Sequence, residues 1–314
     1  MSKIISIVVP CYNEEAALKY TIPQLLNIFD DLVGQGKISS ESFVLCVDDG
    51  SRDKTWEEIA KLHEKDNRVK GITLAHNRGH QYALLSGLME VKDKGDAAVS
   101  IDADLQDDPL AIVQMVEEFL NGKEIVYGVR ASRSTDTWFK RTTARCFYKF
   151  QASMGLQTIY DHADYRLMSS RALDILSQYG ESNLFLRGII PQIGLDTAIV
   201  KYDRHERVAG ESKYPLKKML AFSVDGITSF SSRPMRMIFF VGLTLLLIDI
   251  LVALYVLIAY FGDTAIAGWP SIMLSVWFLG SLILMAIGIV GEYIGKIFVE
   301  VKARPRFNIK STIW

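Results

Sequence analysis

Residues 97–109 read Ala97-Ala98-Val99-Ser100-Ile101-Asp102-Ala103-Asp104-Leu105-Gln106-Asp107-Asp108-Pro109. The first half is a short apolar run of β type, and the second half is a loop rich in acidic side chains. Pro109 then opens a segment of helical length and periodicity over residues 109–120. The stretch therefore predicts a buried strand over residues 97–102, an acidic loop and a helix.

The same alternation of strand and helix continues on both sides of this stretch. Further strands are predicted over residues 4–10, 43–48, 69–74 and 124–129, and further helices over residues 14–29, 55–64 and 80–91. This order predicts an α/β fold with a mostly parallel sheet and helices on both faces. Ligands of such sheets bind beyond the carboxyl ends of the strands.

The composition excludes several classes of protein. The chain has 314 residues, 49% of them apolar, with 35 Lys and Arg side chains against 36 Asp and Glu side chains. These totals exclude a disordered chain and a small disulfide scaffold, and the near-neutral charge predicts no nucleic-acid partner. The cysteines, Cys11, Cys46 and Cys146, are odd in number and widely spaced, which argues against a disulfide framework.

Two long apolar segments lie in the last third of the chain. Residues 237–261 carry a single ionic side chain, Asp249, and residues 270–291 carry none. At about 1.5 Å per residue, each segment exceeds the roughly 30 Å of a bilayer core, so we expect a hairpin of two transmembrane helices. The connecting residues 262–269 lack Lys and Arg whereas both outer flanks are basic, which predicts cytoplasmic termini.

These patterns divide the chain into four predicted regions. Residues 1–213 form a cytoplasmic domain, and residues 214–234, where apolar and basic side chains mix, form an interfacial helix. Residues 235–297 form the two transmembrane helices, and residues 298–314 form a cytoplasmic basic tail. Asp249 has no second charge in the hairpin, so we interpret it as a helix–helix or oligomer contact rather than an ion relay.

Polar clusters follow the first two predicted strands. The first strand runs into Pro10-Cys11-Tyr12-Asn13-Glu14, where Asn13 is expected to cap the following helix. The second strand ends in Asp48-Asp49-Gly50-Ser51, where Gly50 permits a tight turn and the carboxylates can hold a base edge or a ribose hydroxyl. Alternatively, the acids of the second motif only cap the next helix.

The acidic loop of residues 102–108 carries four carboxylates within seven residues. Carboxylates this close repel one another unless a cation or hydrogen-bond donors compensate them. Hard oxygen ligands without nearby His or Cys favour Mg²⁺ or Mn²⁺ over Zn²⁺, and such a cation can bridge the phosphates of a nucleoside diphosphate. The alternative is a solvated acidic loop before a helix.

Together these motifs resemble those of family 2 glycosyltransferases with the GT-A fold. The resemblance also rests on Asn77-Arg78-Gly79-His80-Gln81 after the third predicted strand, and it covers almost the whole chain. The chain is similar in particular to the polyprenyl-phosphate branch, which contains dolichol-phosphate mannose synthases and bacterial bactoprenol-phosphate glucosyltransferases. The resemblance implies a GT-A Rossmann-like, mostly parallel sheet followed by interfacial helices and a two-helix transmembrane hairpin.

The resemblance also implies a nucleotide-sugar site with a divalent cation, Mg²⁺ or Mn²⁺. The residues implied to line the nucleoside pocket are Pro10, Tyr12, Glu14, Asp48, Asp49 and Ser51. The loop that closes this pocket is implied to contain Asn77, Gly79 and Gln81. Asp102 would lie between the nucleotide and the metal, with Asp104 and Gln106 as direct metal ligands.

Later motifs resemble the family's acceptor and diphosphate sites. Within residues 161–168, Asp164 matches an acid that lies near the sugar and the acceptor in related enzymes. The residues implied to receive the acceptor phosphate are Arg130 and Arg133. The residues implied to fold over the diphosphate are Arg207, Ser212 and Lys213, although the same segment is also readable as a basic juxtamembrane linker.

The implied reaction is inverting transfer of one hexose from a nucleotide sugar, with UDP-glucose first, to undecaprenyl phosphate or a similar polyprenyl phosphate. Such an acceptor is already an oxyanion at neutral pH, so it needs no general base. Alternatives keep the fold but use UDP-N-acetylhexosamine or GDP-mannose as donor, or a diacylglycerol or growing glycan as acceptor. An inactive membrane scaffold is disfavoured because Asp102, Asp104 and Gln106 are all present.

The implied location is the bacterial inner membrane. We expect a multi-pass protein with its catalytic domain in the cytoplasm, acting in cell-envelope glycan modification. The interfacial helix, the hairpin and Asp249 would suit a homo-oligomer.

Overall fold

A computed structural model describes residues 2–130, 162–182, 184–203 and 268–314, with scattered positions between 238 and 254. The strands are β1 (Ile5–Cys11), β2 (Phe43–Asp48), β3 (Val69–Leu74), β4 (Ala97–Ser100), β5 (Ile125–Arg130), β6 (His162–Ser169), β7 (Thr197–Tyr202) and β8 (Ile309–Ile313). The helices are α1 (Glu15–Gly34), α2 (Thr55–Lys65), α3 (His80–Val91), α4 (Ala111–Leu120), α5 (Ser170–Ser177), α6 (Leu186–Ile189) and α7 (Trp269–Lys302).

The described strands form one sheet in the order β7-β5-β6-β4-β1-β2-β3-β8. Strands β4, β1, β2 and β3 run parallel, as do β5 and β7. Strand β6 is antiparallel to both β4 and β5, and β8 is antiparallel to β3. The predicted α/β class is therefore confirmed. The described sheet is mostly parallel as predicted, and only β6 and β8 among its eight strands run the opposite way.

The central strands form because their side chains are apolar on both faces. Strands β1 and β2 are buried along their whole length between two layers of helices. Helices α1, α2 and α4 pack on one face of the sheet, and α3 and α5 pack on the other. At Gly87, α3 approaches the sheet so closely that a Cβ would lie 2.4 Å from Val8 Cγ1 and 2.6 Å from Val47 Cγ2.

Two predicted elements end two or more residues away from the predicted position. The strand predicted over residues 97–102 ends at Ser100. One further backbone hydrogen bond, from Ile101 N to Val8 O at 3.2 Å, joins the chain to β1 before Asp102. Asp102 therefore leaves the sheet and enters the loop. The helix predicted over residues 14–29 continues to Gly34, since its apolar face stays buried through Leu32.

The C-terminal residues belong to the sheet. Residues 298–314 were expected to form a basic tail, whereas α7 extends through Lys302 and β8 pairs with β3. The ring of Trp314, at the end of β8, packs edge-on against Phe43 with centroids 5.6 Å apart, and Lys94 Nζ lies 3.3 Å from the centre of the Trp314 ring. The polar sequence of β8 gives little sign of this pairing, because an edge strand needs few apolar residues.

The chain divides into two compact units. One contains residues 1–148, 157–214 and 304–314, and the other contains residues 149–156 and 215–303. Among the described residues, one helical segment, Phe278–Lys302, is long and apolar enough to cross a membrane. The predicted first span lies largely outside the described residues, as do residues 214–234, so the two-helix hairpin stays a prediction.

Candidate active site

Three neighbouring parallel strands bring the predicted motifs to one edge of the sheet. Strands β4, β1 and β2 are adjacent, so their carboxyl ends lie side by side. Strand β6 runs the opposite way beside β4, which places Asp164, near the start of β6, next to the end of β4. Ser100 Oγ donates a hydrogen bond to the backbone oxygen of Asp164 at 2.6 Å.

The turn after β2 is built around two buried carboxylates. Asp48 Oδ1 accepts from Ser51 N at 3.0 Å, and Asp48 Oδ2 accepts from Thr73 Oγ1 at 2.6 Å. The Asp49 carboxylate accepts from the backbone nitrogens of Arg78 and Gly79, at 2.7 and 2.8 Å. Burial is the main reason why the pKa of Asp49 is raised, although these two amide bonds lower it. Both acids thus stabilise the loops of the predicted nucleoside pocket, and direct contact with a nucleoside stays a prediction.

The loop after β1 is tied to the same turn. Asn13 N donates to Ser51 Oγ at 2.9 Å, and Asn13 Oδ1 accepts from Arg52 N at 2.9 Å. The expected cap by Asn13 is wrong, because its side chain serves this cross-link and Glu14 precedes α1 without a side-chain capping bond. Pro10 is buried within β1, while the Tyr12 side chain is 41% exposed at the edge where the predicted nucleoside would lie.

The acidic loop after β4 combines close carboxylates with a strained backbone. Leu105, between Asp104 and Gln106, has a φ of 44°, a left-handed conformation that is uncommon for a non-glycine residue. The pKa of Asp102 is raised, chiefly by loss of solvation and also by the charges of Asp164, Asp107 and Asp104. Asp102 and Asp104 are only partly buried, whereas Gln106 is buried.

The chemistry of this loop fits a divalent cation. A nearby cation would offset the repulsion among these carboxylates, which adds to the loss of solvation in raising the pKa of Asp102. Carboxylate and amide oxygens are suitable ligands for Mg²⁺ or Mn²⁺. No group of three or more His, Cys, Asp or Glu side chains arranged for a metal occurs within the described part of the chain. A site here would therefore rely on Asp102, Asp104 and Gln106, with the remaining ligands supplied by substrate or water.

Arg130, at the end of β5, is paired with a buried acid. Its Nε and Nη2 lie 3.2 and 3.1 Å from Asp107 Oδ1, and the Asp107 side chain is 3% exposed. This pair fixes Arg130 beside the acidic loop, where the sequence predicts the acceptor phosphate.

Asp164 is the most strongly bound carboxylate of the site. Arg166 Nη2 donates to Asp164 Oδ1 at 2.6 Å, and Arg187 Nη2 donates to Asp164 Oδ2 at 2.9 Å. Gln81 Nε2 adds a third donor at 3.1 Å. Burial alone raises the pKa of Asp164, but the charges of Arg187 and Arg166 outweigh burial and hold this pKa well below its ordinary value. Asp164 is therefore an ionised carboxylate with its oxygens engaged by donors.

Helix α3 begins between the nucleotide and Asp164 parts of the site. His80 Nε2 lies 3.6 Å from Asp102 Oδ1 and 3.7 Å from Asp164 Oδ2. The Gln81 side chain donates to Asp164, and its Oε1 accepts from Leu186 N at 3.1 Å. Gln81 thus bridges two protein elements, and its implied place among the residues that close the nucleoside pocket stays a prediction.

Sequence reasoning missed Arg166 and Arg187. Arg166 is two residues after Asp164 on β6, so strand periodicity places both side chains on one face of the sheet. Arg187 interrupts the apolar run of residues 184–190, and an isolated cation in such a run was the available signal. The remaining predicted site residues, Arg133, Arg207, Ser212 and Lys213, lie outside the described residues.

The comparisons with known proteins agree with this fold. The profile of "Glycosyl transferase family 2" matches residues 6–187, more than half of the chain. The chain is 50% identical over 306 residues to the uncharacterized glycosyltransferase YkoT of Bacillus subtilis, covering 98% of this chain and 91% of the relative. It is 37% identical over 310 residues to the bactoprenol glucosyl transferase of Shigella phage SfX, covering 98% and 99% of the two chains.

A solved structure has a similar fold. The mannosyl-3-phosphoglycerate synthase of Rubrobacter xylanophilus matches with a TM-score of 0.51 and 16% identity, over 75% of this chain and 74% of that one. The fold is therefore that of GT-A-like glycosyltransferases. The chain belongs to glycosyl transferase family 2.

Proposed function

We propose that this glycosyltransferase moves one hexose from a nucleotide sugar to a polyprenyl phosphate, with inversion at the anomeric carbon. UDP-glucose is the first candidate donor, and undecaprenyl phosphate is the first candidate acceptor. Relatives named bactoprenol glucosyl transferase support this assignment, because they match nearly the full length of the chain at 37% identity.

The observation that carries the proposal is the state of Asp164. A hydroxyl acceptor must lose a proton during attack, so most inverting transfers to hydroxyls require a general base. Two arginines and a glutamine engage the Asp164 carboxylate and its pKa is depressed, so it is a poor proton acceptor. A polyprenyl phosphate brings its own oxyanion, and the protein then has to align and screen two anionic groups.

The donor half of the site would hold the nucleotide against the ends of β1 and β2. Tyr12, Glu14 and Ser51 lie around this edge, and Asp49 holds the backbone at Arg78 and Gly79. Asp102, Asp104 and Gln106 would hold Mg²⁺ or Mn²⁺, which when bound supplies positive charge to the leaving diphosphate. Asp164, beside Asp102, would orient the sugar or the attacking phosphate through fixed geometry.

The acceptor half would contain Arg130 and Arg133. A planar guanidinium suits bidentate binding of a phosphate, and Asp107 holds Arg130 beside the acidic loop. Arg207, Ser212 and Lys213 would cover the diphosphate once the donor is bound.

The location follows from the acceptor. A polyprenyl phosphate lies in a bilayer, and Phe278–Lys302 is long and apolar enough to cross one. We therefore propose a bacterial inner-membrane enzyme with a cytoplasmic catalytic domain and a C-terminal hairpin, within the four regions predicted above. A homo-oligomer stays a further proposal for this assembly.

The test is transfer of radiolabel from a panel of UDP- and GDP-sugars into organic-extractable lipid by the detergent-purified protein. Undecaprenyl phosphate and undecaprenol serve as matched acceptors, with Mn²⁺, with Mg²⁺ and with EDTA. The proposal predicts label from one donor on the phosphate and none on the alcohol. Label on the alcohol, on diacylglycerol or on a glycan, with none on the phosphate, would overturn the acceptor assignment.

A further inference from the structure

The stretch before β8 lies along the loop that follows β3. Ala75 N donates to the backbone oxygen of Asn308 at 2.9 Å, and Arg78 Nε donates to the backbone oxygen of Arg306 at 2.9 Å. Residues 306–308 therefore run beside residues 75–78, which carry part of the nucleotide motif. All of these contacts lie within one compact unit.

The same loop is held on its other side by the turn after β2. The Asp49 carboxylate accepts hydrogen bonds from the backbone nitrogens of Arg78 and Gly79. A Cβ atom at Gly50 would lie 2.8 Å from Asn77 N. Gly50 has a φ of 64°, so glycine satisfies both the turn and the close approach. The loop of residues 76–79 is thus enclosed between this turn and the C-terminal stretch.

Arg306 connects this loop, which its backbone oxygen contacts, to the segment after α5, which its side chain contacts. Its Nη1 donates to the backbone oxygen of Tyr179 at 2.7 Å. The Arg78 guanidinium lies 5.3 Å from the centre of the Tyr82 ring, and the Tyr82 hydroxyl donates to the backbone oxygen of Ser182. Segment 179–182 is therefore held from two directions.

Segment 179–182 is close in sequence to α6, which contacts the other half of the site. Leu186 N donates to Gln81 Oε1, and Arg187 binds the Asp164 carboxylate. Arg306 thus lies where the nucleotide loop and the Asp164 cluster are joined. Its backbone oxygen contacts the first, and its guanidinium contacts the segment that leads to the second.

We propose that Arg306 is a positioning residue of the donor site, acting through Arg78 and segment 179–182. The C-terminal stretch of residues 304–314 is then a part of the nucleotide-binding unit, although it follows the apolar helix α7 in the chain. The inference rests on the proposed function only for the identity of the nucleotide. It predicts that nucleotide affinity depends on residues beyond α7.

The test uses the full-length, detergent-purified protein and titration calorimetry with UDP and with GDP in the presence of Mn²⁺. The variants are Arg306→Ala, Arg306→Lys, Arg78→Ala and the Arg78→Ala/Arg306→Ala pair. Arg171→Ala is the matched control, because Arg171 is an exposed arginine of α5 paired only with Glu124 in the contacts described. Melting temperatures and the steady-state constants for donor and lipid accompany each titration.

Arg306→Ala is expected to weaken binding of the tighter-binding nucleotide about tenfold, the upper limit set by the one charge-assisted hydrogen bond that this variant loses, from Arg306 Nη1 to Tyr179 O. The backbone oxygen that Arg78 binds stays in place. Arg306→Lys recovers part of this loss, since an ammonium can still reach a carbonyl oxygen. The double variant is less than additive, because both side chains hold segment 179–182, Arg306 directly and Arg78 through Tyr82. In the transfer assay, the KM for the donor rises about tenfold while the KM for the lipid stays unchanged, and Arg171→Ala matches wild type throughout.

Two results would overturn the inference. The first is unchanged nucleotide affinity in Arg306→Ala. The second is a loss of nucleotide affinity that is explained by a lower melting temperature and that Arg306→Lys does not restore. If the wild-type protein binds neither UDP nor GDP, this inference and the donor assignment are both wrong. Tight binding that depends on Arg306, without transfer to any lipid, would remove the proposed acceptor and leave the positioning role intact.

Discussion

Two acidic motifs at neighbouring strand ends differ in what surrounds their carboxylates. Asp48 and Asp49 are buried, and donors from Ser51, Thr73 and the residue 78–79 backbone bind them. Asp102 and Asp104 are partly exposed among other carboxylates. Burial is the main cause that raises the pKa of both Asp49 and Asp102, but two backbone amides lower the pKa of Asp49, whereas three neighbouring carboxylates raise that of Asp102 further. The first motif stabilises a loop, and the second is placed where a cation would be stabilised.

The difference shows that an acid at the end of a strand does not by itself define a ligand site. Donors from the next strand and loop satisfy the first pair, because β3 lies directly beside β2. The second motif lies between β1 and the antiparallel β6, whose Asp164 adds a further negative charge. Substitutions in the two motifs should therefore change different measurements.

The largest effect is expected for Asp104→Asn. Removing a carboxylate from the proposed cation site should lower transfer about 100-fold or more, since a bound cation would supply several kcal/mol to the transition state. The melting temperature should stay the same or rise, because one member of a repelling cluster is neutralised. Label transfer and thermal melting of the same preparation measure both effects. Unchanged transfer at low Mn²⁺ would place the cation elsewhere.

Asp164→Asn should destabilise the protein by about 3–5 kcal/mol, because it leaves the buried Arg166 guanidinium without its carboxylate. The folded-state pKa of Asp164 is depressed, so its stabilising effect is full above the unfolded pKa of about 3.9 and is lost as pH falls further. The difference in melting temperature between wild type and variant should therefore stay constant between about pH 5 and pH 7. This difference should become smaller below about pH 4. A difference that becomes smaller near neutral pH would contradict the depressed pKa.

Asp49→Asn should cost about 1–3 kcal/mol of stability, since an amide group cannot accept from both Arg78 N and Gly79 N as the carboxylate does. Donor affinity should fall as the loop loosens. Thermal melting and nucleotide titration check the two effects. A variant with wild-type stability would show that these hydrogen bonds are not needed by the loop.

The smallest effect is expected for Thr73→Val, which removes one buried hydroxyl donor to Asp48. The stability loss should be about 1 kcal/mol, and Mn²⁺ affinity should not change. Denaturant unfolding and Mn²⁺ titration provide the comparison. A large loss of Mn²⁺ affinity here would contradict the separation of the two motifs.

The sequence predicts the centre of the fold well because local patterns determine it. Strands 43–48 and 69–74 and helix 80–91 have the predicted boundaries, and the motifs meet at one edge because parallel strands align their ends. Apolar runs on both faces and regular helix periods carry this information.

Features that depend on distant partners were not predictable in the same way. Strand β8 pairs with β3 across most of the chain length. Its β-branched residues Ile309, Thr312 and Ile313 favour a strand, but a five-residue pattern does not identify the distant partner. The partners of Asp164 come from α3, β6 and α6, and their approach depends on how these elements pack. Asn13 was expected as a helix cap, whereas it binds a turn brought close by the pairing of β1 with β2.

The most direct test of the division between the two acidic motifs is Mn²⁺ binding followed by electron paramagnetic resonance with saturating UDP-glucose. Asp104→Asn and Asp49→Asn are compared with wild type in the same detergent. The account predicts that Asp104→Asn loses bound Mn²⁺ while keeping its melting temperature, and that Asp49→Asn keeps bound Mn²⁺ while melting at a lower temperature. The reverse pattern would contradict it.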